Sequence, residues 1–133
     1  MTSETPLALR REDIINAIPG GVAIYKVSDI FETVYFSDGV PALSGYTVEE
    51  YRELIAGDAA ELTYWEDADM VVSMARQVIR THEVTEFEFR KQHRDGHIVW
   101  VRVQVKWSGE EDGCPLLLCV FHNISELKEA QLE

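Results

Sequence analysis

Residues 86–101 read EFEFRKQHRDGHIVWV, with apolar and polar side chains alternating on both sides of an Asp-Gly pair. Such alternation is typical of β-strands with one covered face, and Asp-Gly is a favoured hairpin turn. The stretch therefore predicts antiparallel strands over 84–92 and 97–107, joined by a turn at 93–97. One face of the second strand should cover helices, and it carries Val99, Val101, Val103 and Val105.

Three further β-rich runs complete the predicted sheet. VAIYKV (22–27) and FETVYFS (31–37) are separated by a short polar link and predict a hairpin. A polar loop at 109–113 leads into the last run, CPLLLCVFH (114–122). This run is apolar throughout, so both of its faces should be covered. Alternation assigns Leu117, Cys119 and Phe121 to one face, and Leu116, Leu118 and Val120 to the other.

Helices are predicted before and between these strands. The first spans most of residues 5–18 and ends at Pro19-Gly20-Gly21; either this helix or a partner subunit should cover the back of the sheet. Thr47 to Glu50 matches a capping box, in which side chains at both ends satisfy exposed backbone N–H groups. A longer helix begins near residue 66 or 67. Its inner face would carry Met70, Val71, Met74, Val78 and Ile79.

The length and composition indicate one globular domain. The chain has 133 residues, 46% of them hydrophobic, and a formal net charge of -12. Such a charge argues against binding to a nucleic-acid backbone or an anionic membrane surface. With no signal peptide and no apolar run of membrane-spanning length, we expect a cytoplasmic location. The odd spacing of Cys114 and Cys119 on one strand aims their thiols at opposite faces, which disfavours a disulfide.

Five motifs in order make the chain resemble a PAS domain, over roughly residues 12–132. They are IPGGVAIY (18–25), LSGYTVEEY (43–51), WEDAD (65–69), the opening stretch 86–101 and HNISELKEAQ (122–131). The resemblance implies an α+β fold with a five-stranded antiparallel sheet in the order 2-1-5-4-3. A helical flank would cover one face, with the N-terminal helix on or near the other. The implied parts are a flanking helix (1–20), a PAS core (21–124) and the start of a connector helix (125–133).

The resemblance also implies a sensory and dimerisation module. Such modules report to a histidine kinase, a cyclic-dinucleotide enzyme or a transcription factor, which here would lie outside this chain. No nucleophile elbow or paired-carboxylate arrangement can be identified, so we expect no catalytic residues and no enzyme. Two functions stay open: a sensor for a small, largely apolar or aromatic ligand, and a ligand-free dimerisation scaffold.

Several cofactors of the family are disfavoured by residue content. The flavin photoreceptor subclass needs a reactive Cys among the central helices, and residues 46–62 contain none. Haem needs a ligand such as a His in the long helix, but His82 follows that helix's last apolar turn. His93 and His97 flank Asp95 on an exposed turn, and without a fourth ligand they are expected to form a polar hairpin rather than a metal site.

Three sets of residues are the candidate functional positions. Asn123, Ile124 and Ser125, which stand where the family has Asp-Ile-Thr, would relay the signal, with Ser125 capping the exit helix. A homodimer is expected through the back of the sheet, using Ile14, Ile18, Trp100, Leu116, Leu118 and Val120. The candidate ligand pocket is lined by Val22, Ile24, Phe36, Met74, Val78, Phe87, Phe89, Val101, Val103, Leu117, Cys119 and Phe121.

Overall fold

The structure, a computed structural model, describes residues 20–132 of the chain. Its strands are β1 (Gly21–Val27), β2 (Phe31–Phe36), β3 (Thr85–Gln92), β4 (Ile98–Glu111) and β5 (Cys114–Asn123). Its α-helices are α1 (Gly39–Leu43), α2 (Val48–Leu54), α3 (Ala68–Thr81) and α4 (Ser125–Leu132). Two 3-10 helices, Ala59–Leu62 and Trp65–Asp67, lie between α2 and α3.

The five strands form one antiparallel sheet in the order β2-β1-β5-β4-β3, which confirms the predicted topology. The predicted N-terminal helix, with Ile14 and Ile18, lies outside the described residues. No helix within residues 20–132 has the length and apolar character needed to cross a bilayer.

The inner face of the sheet packs against α1, α2 and α3 and forms the core. The predicted valine face of β4 is confirmed, because all four valines are at most 3% exposed. The predicted split of β5 is also confirmed: Leu117, Cys119 and Phe121 belong to this core, whereas Leu116, Leu118 and Val120 are half-buried on the outer face.

Two side-chain hydrogen-bonding patterns, the first of them predicted, hold the segment between the hairpin and α3. Thr47 Oγ1 accepts a hydrogen bond from the Glu50 N–H, and the Glu50 carboxylate accepts one from the Thr47 N–H, so the capping box is confirmed. Asp58 begins the first 3-10 helix and accepts from the Ala60 N–H and from the Phe31 N–H of β2. This second contact ties the connecting segment to the sheet.

Glycine is required where β1 begins. Gly20 has a φ of 88°, and a Cβ there would collide with the carbonyl oxygen of Phe121 on β5. A Cβ on Gly39, at the start of α1, would collide with the carbonyl oxygen of Gly20. Three pieces of backbone therefore meet at a separation that no side chain permits.

Three predicted details are wrong. The loop at 109–113 is shorter, because β4 continues past a register shift to Glu111 and the turn lies at Asp112-Gly113. On β1, Ala23, Tyr25 and Val27 face the core, so Val22 and Ile24 lie on the outer face. On α3, Ala75 is buried in the core, whereas Met70 is 37% exposed and Met74 is half-buried.

Candidate functional site

A cavity of about 50 Å³ lies between the inner face of the sheet, α3 and the first 3-10 helix. A buried water needs at least ~10–15 Å³ of such space, so there is room for roughly four waters or a guest of a few heavy atoms. Its walls are formed by Tyr25, Phe31, Ala59, Ala60, Thr63, Val71, Ala75, Phe87, Phe89, Lys91, Val103, Val105, Leu117, Cys119 and Phe121.

Half of the predicted pocket residues line this cavity, namely Phe87, Phe89, Val103, Leu117, Cys119 and Phe121. The others do not. Val78 and Val101 are fully buried in the adjoining core, and Phe36 packs edge-on against Tyr51 with ring centroids 5.0 Å apart. Met74 lies outside the core cluster, and Val22 and Ile24 lie on the opposite face of the sheet.

Lys91 was not among the predicted pocket residues, and it changes the chemistry of the cavity. It is 4% exposed, and its Nζ lies 5.3 Å from the centre of the Phe121 ring. Its ammonium makes no hydrogen bond or ion pair with a described residue. Burial lowers the pKa of Lys91 to about 8, with a small opposing effect from Cys119. A signal existed, because alternation along β3 places Lys91 on the same face as Phe87 and Phe89.

The other titratable groups of the cavity are neutral at pH 7. Burial raises the pKa of the Cys119 thiol to about 12 and holds the pKa of Tyr25 well above its usual value. No carboxylate is among the residues of 20–132 that line the cavity. Lys91 therefore carries the only formal charge that the cavity wall can present among the described residues.

The cavity does not fit the larger cofactors of PAS domains. Its volume is far below the ~300–1,000 Å³ of typical sites for drug-sized ligands. Cys119, the one cysteine on its wall, has a thiol whose raised pKa opposes formation of a reactive thiolate. His82 lies away from the cavity, where it ends α3 with a φ of 60° and stacks on Trp107 at 3.8 Å.

An ion pair fixes the start of α3 beside the cavity. The Asp67 carboxylate accepts three hydrogen bonds from Arg90 on β3, from its backbone N–H at 2.7 Å, its Nε at 2.9 Å and its Nη2 at 2.7 Å. The Arg90 guanidinium lies 4.7 Å from the Tyr64 ring centre. The contact joins two of the sequence motifs, WEDAD and EFEFR, and explains why both contain charged residues at these positions.

The cavity wall leads directly to the exit helix. Two residues after Phe121 comes Asn123, whose side chain accepts a hydrogen bond from the Ser125 N–H at 2.9 Å. Ile124 is buried and donates its N–H to the Trp100 carbonyl, while Ser125 Oγ accepts the Trp100 N–H at 3.0 Å. Ser125 thus extends the β4–β5 hydrogen bonding rather than capping α4, which corrects its predicted role.

Helix α4 then crosses the outer face of β4 toward β3. Lys128 Nζ lies 2.6 Å from the Glu88 carboxylate and 4.7 Å from the Trp100 ring centre. Glu88 also accepts from Arg102 at 3.3 Å, and these two cations lower the pKa of Glu88. The predicted outer-face residue Trp100 is therefore in contact with this chain's own helix.

The predicted polar hairpin contains three close ligand-type side chains. His93, Asp95 and His97 place their ligand atoms within 4.8 Å of one another. Asp95 already accepts a hydrogen bond from the His97 backbone N–H at 3.0 Å and contacts both imidazole rings, which stack at 4.2 Å. These internal contacts hold the pKa of Asp95 below its usual value.

The apolar outer face lies on β1 and β5, which α4 does not cross. Val22 is paired in register with Val120, and Ile24 with Leu118. Leu116 extends the row opposite Lys26. The predicted outer-face residues of β5 therefore form one apolar patch with the two β1 residues that were expected in the pocket.

Comparisons with known proteins agree with this architecture. The chain is similar to a PAS domain from Colwellia psychrerythraea, with 19% identity over 87% of this chain and 95% of that one and a TM-score of 0.70. It is also similar to a sensory box histidine kinase/response regulator from Burkholderia thailandensis, with 15% identity over 97% and 90% of the two chains and a TM-score of 0.65.

A third solved structure is more similar in sequence than these two, with 25% identity. It is the N-terminal domain of a diguanylate cyclase with PAS/PAC sensor from Marinobacter aquaeolei, matched over 80% of this chain and 98% of that one with a TM-score of 0.55. A search of curated protein sequences finds no match. The sequence model of the family described as PAS fold matches residues 33–121, two thirds of the chain, and the protein therefore belongs to the PAS family.

Proposed function

We propose that this PAS domain is a sensor that binds a small, largely apolar or aromatic ligand in the cavity and relays its presence through α4 to an effector outside this chain. One observation carries the proposal: β5 supplies cavity walls at Leu117, Cys119 and Phe121 and continues without a break into the contacts that dock α4. The solved relatives named as a histidine kinase and a diguanylate cyclase support such effectors.

The relay is proposed to act on the docking of α4. A guest that displaces Phe121 moves the end of β5, and with it Asn123 and Ser125, whose hydrogen bonds hold the start of the helix. A ligand can shift such an equilibrium only if it binds the docked and released states with different affinities. In this mechanism no residue acts as a chemical catalyst, and the output is a change in the position of α4.

Replacing Ser125 with alanine should loosen α4. The change removes the acceptor of the Trp100 N–H, and a neutral hydrogen bond of this kind contributes about 1 kcal/mol. We expect amides 125–132 to exchange with solvent roughly fivefold faster, as measured by hydrogen exchange with mass spectrometry. Ser108→Ala, on an exposed part of β4, is the matched control. Equal exchange in the Ser125 variant and the wild type would contradict this relay.

Homodimerisation is proposed through the apolar patch of β1 and β5. The half-buried residues Ile24, Leu116, Leu118 and Val120, which continue the row of the buried Val22, support it, because contiguous apolar surface is typical of protein contacts. Leu118→Glu should shift the wild-type dimer to monomer in sedimentation velocity, since it places a charge in the centre of the patch. A wild type that sediments as a monomer at every concentration would contradict the dimer.

A further inference from the structure

Lys91 gives the cavity a chemical preference that an apolar pocket lacks. Its side chain is nine-tenths or more buried and lies against the cavity, with neither a carboxylate nor a hydrogen-bond acceptor among the described residues. Buried charges in proteins are ordinarily paired, because an unpaired one loses its hydration without compensation. Apart from the face of the Phe121 ring, the ammonium has no partner among the described residues, and it is placed to pair with an anion that enters the cavity.

Two hydroxyl groups share the wall with this ammonium. Thr63 forms an isolated bridge with Lys91 beside the cavity, and Tyr25 lines it from β1. Neither side-chain hydroxyl makes a hydrogen bond with a described residue. The remaining surface is apolar and aromatic, including Phe87, Phe89 and Phe121. The cavity thus combines one cation and two free hydroxyls with an otherwise apolar wall.

We propose that the ligand of this cavity is a small organic monocarboxylate, with its carboxylate on Lys91 and its apolar or aromatic part against the three phenylalanines. Inorganic anions match the ammonium but leave that apolar wall unfilled, and neutral apolar guests leave the ammonium unpaired. A carboxylate with a short hydrocarbon body satisfies both. The inference rests on the proposed function, because it names the chemical class of the ligand of that same cavity.

Strand β3 carries two neighbouring cations, Arg90 and Lys91, and of these Lys91 is the one that lines the cavity. Glu88 and Arg90 lie on the opposite face of β3 and are paired with other residues. Lys91 is the strand's inward-facing cation.

The test compares acids with their amides on the 133-residue protein. Acetate, propionate and isobutyrate, whose size suits a cavity with room for a few heavy atoms, are each paired with the amide of the same shape, in a buffer free of other carboxylates and of phosphate. Dissociation constants are taken from shifts of the Val103 and Leu117 methyl resonances in two-dimensional NMR. We expect at least one acid to bind the wild type tenfold or more tightly than its amide at pH 7.

Two neutral variants and one control assign the preference to a residue. Lys91→Met and Lys91→Gln should bring the affinity for the acid to within threefold of that for the amide, with amide binding retained. Lys106→Met removes an exposed lysine of β4 and should leave the preference unchanged. Using both neutral variants guards against a local packing effect of either one.

Each result decides between the two proposals. If acids and amides bind the wild type equally, or if the acid preference survives both neutral variants, the carboxylate inference is overturned while the cavity remains a ligand site. If no compound shifts the cavity methyl resonances of the wild type, the inference and the proposed sensory function fail together. An acid preference that is lost only in the Lys91 variants supports both.

Discussion

Replacing Lys91 with methionine should make the ligand-free protein more stable at pH 7. Methionine keeps the length of the side chain and removes an ammonium that is buried without an anion. The pKa of Lys91 falls from 10.5 to about 8 on folding, and each unit corresponds to about 1.4 kcal/mol. We therefore expect a gain of roughly 3 kcal/mol in the free energy of unfolding, which is on the order of a 10 °C rise in Tm.

The direction of the stability change, and its dependence on pH, follow from the protonation of Lys91 in the folded and unfolded states. Below the folded pKa of about 8, Lys91 is charged in both states and the folded protein bears the full penalty. Between about 8 and 10.5 the unfolded state binds more protons, so the wild type gains stability as pH rises. The difference between Lys91→Met and the wild type should therefore be largest at pH 7 and shrink toward pH 10.5.

Denaturant unfolding at several pH values measures this difference. Taking the variant minus the wild type isolates Lys91 from the Cys119 thiol, whose raised pKa destabilises the folded state as pH rises through 9. Lys106→Met, on the exposed face, should change stability by no more than ~0.5 kcal/mol. A Lys91→Met protein less stable than the wild type at pH 7 would mean that the ammonium is not an unpaired buried charge.

Replacing Asp67 with alanine should have the largest destabilising effect considered. Asp67 accepts two side-chain hydrogen bonds and one backbone hydrogen bond from Arg90, and its side chain is only 13% exposed. Hydrogen bonds to charged groups contribute about 1.5–3 kcal/mol, and the change also leaves the guanidinium without its partner. We expect a loss of roughly 3 kcal/mol in the free energy of unfolding.

Two features separate this effect from loss of a helix-terminal charge. Asp69→Ala removes an exposed carboxylate in the first turn of α3 and should cost about 0.5 kcal/mol. Arg90 also holds the pKa of Asp67 below its usual value, so this stabilisation is present above pH ~4 and is lost as pH falls further. Between pH 7 and pH 3, the free energy of unfolding in urea should fall less steeply for Asp67→Ala than for the wild type. Equal losses in the two variants would refute the role of the ion pair.

The sheet was predictable because β3 and β4 carry unambiguous alternating patterns. On β4 the four valines alternate with Trp100, Arg102, Gln104 and Lys106, so one face has to be buried. The spatial order of the strands came from the family resemblance, since hydrophobic patterning does not specify which strands are neighbours. The capping box at Thr47 was equally clear, because it depends on two residues three apart.

The faces of β1 were mistaken because both are apolar in the middle of the sheet. Val22 and Ile24 are as hydrophobic as Ala23 and Tyr25, so alternation alone does not choose between them. Lys26, in line with Val22 and Ile24, was the available signal, since an exposed lysine at the end of a row indicates the outer face. The register shift between Ile24 and Tyr25 is not visible in the sequence.

Only half of the predicted pocket residues line the cavity, because strand patterns do not reveal the residues that an irregular segment contributes. Aromatic residues on β3 and β5 indicate an inner wall, but Ala59, Ala60 and Thr63 line the cavity through the path of an irregular segment. Lys91 was overlooked because lysine is almost never fully buried, and that prior outweighed its position in the alternation. Ser125 was assigned to helix capping by residue type, whereas its partner, Trp100, is 25 residues away.

The central claim is that filling the cavity changes the docking of α4. Its most direct measurement is a titration of isobutyrate into the nitrogen-15-labelled protein, following the Trp100 amide, which donates to Ser125 Oγ. We expect this amide and the amides of residues 125–128 to shift with the same dissociation constant as the Leu117 methyl groups. Saturation of the cavity methyl groups with no change at Trp100 or along α4 would contradict it.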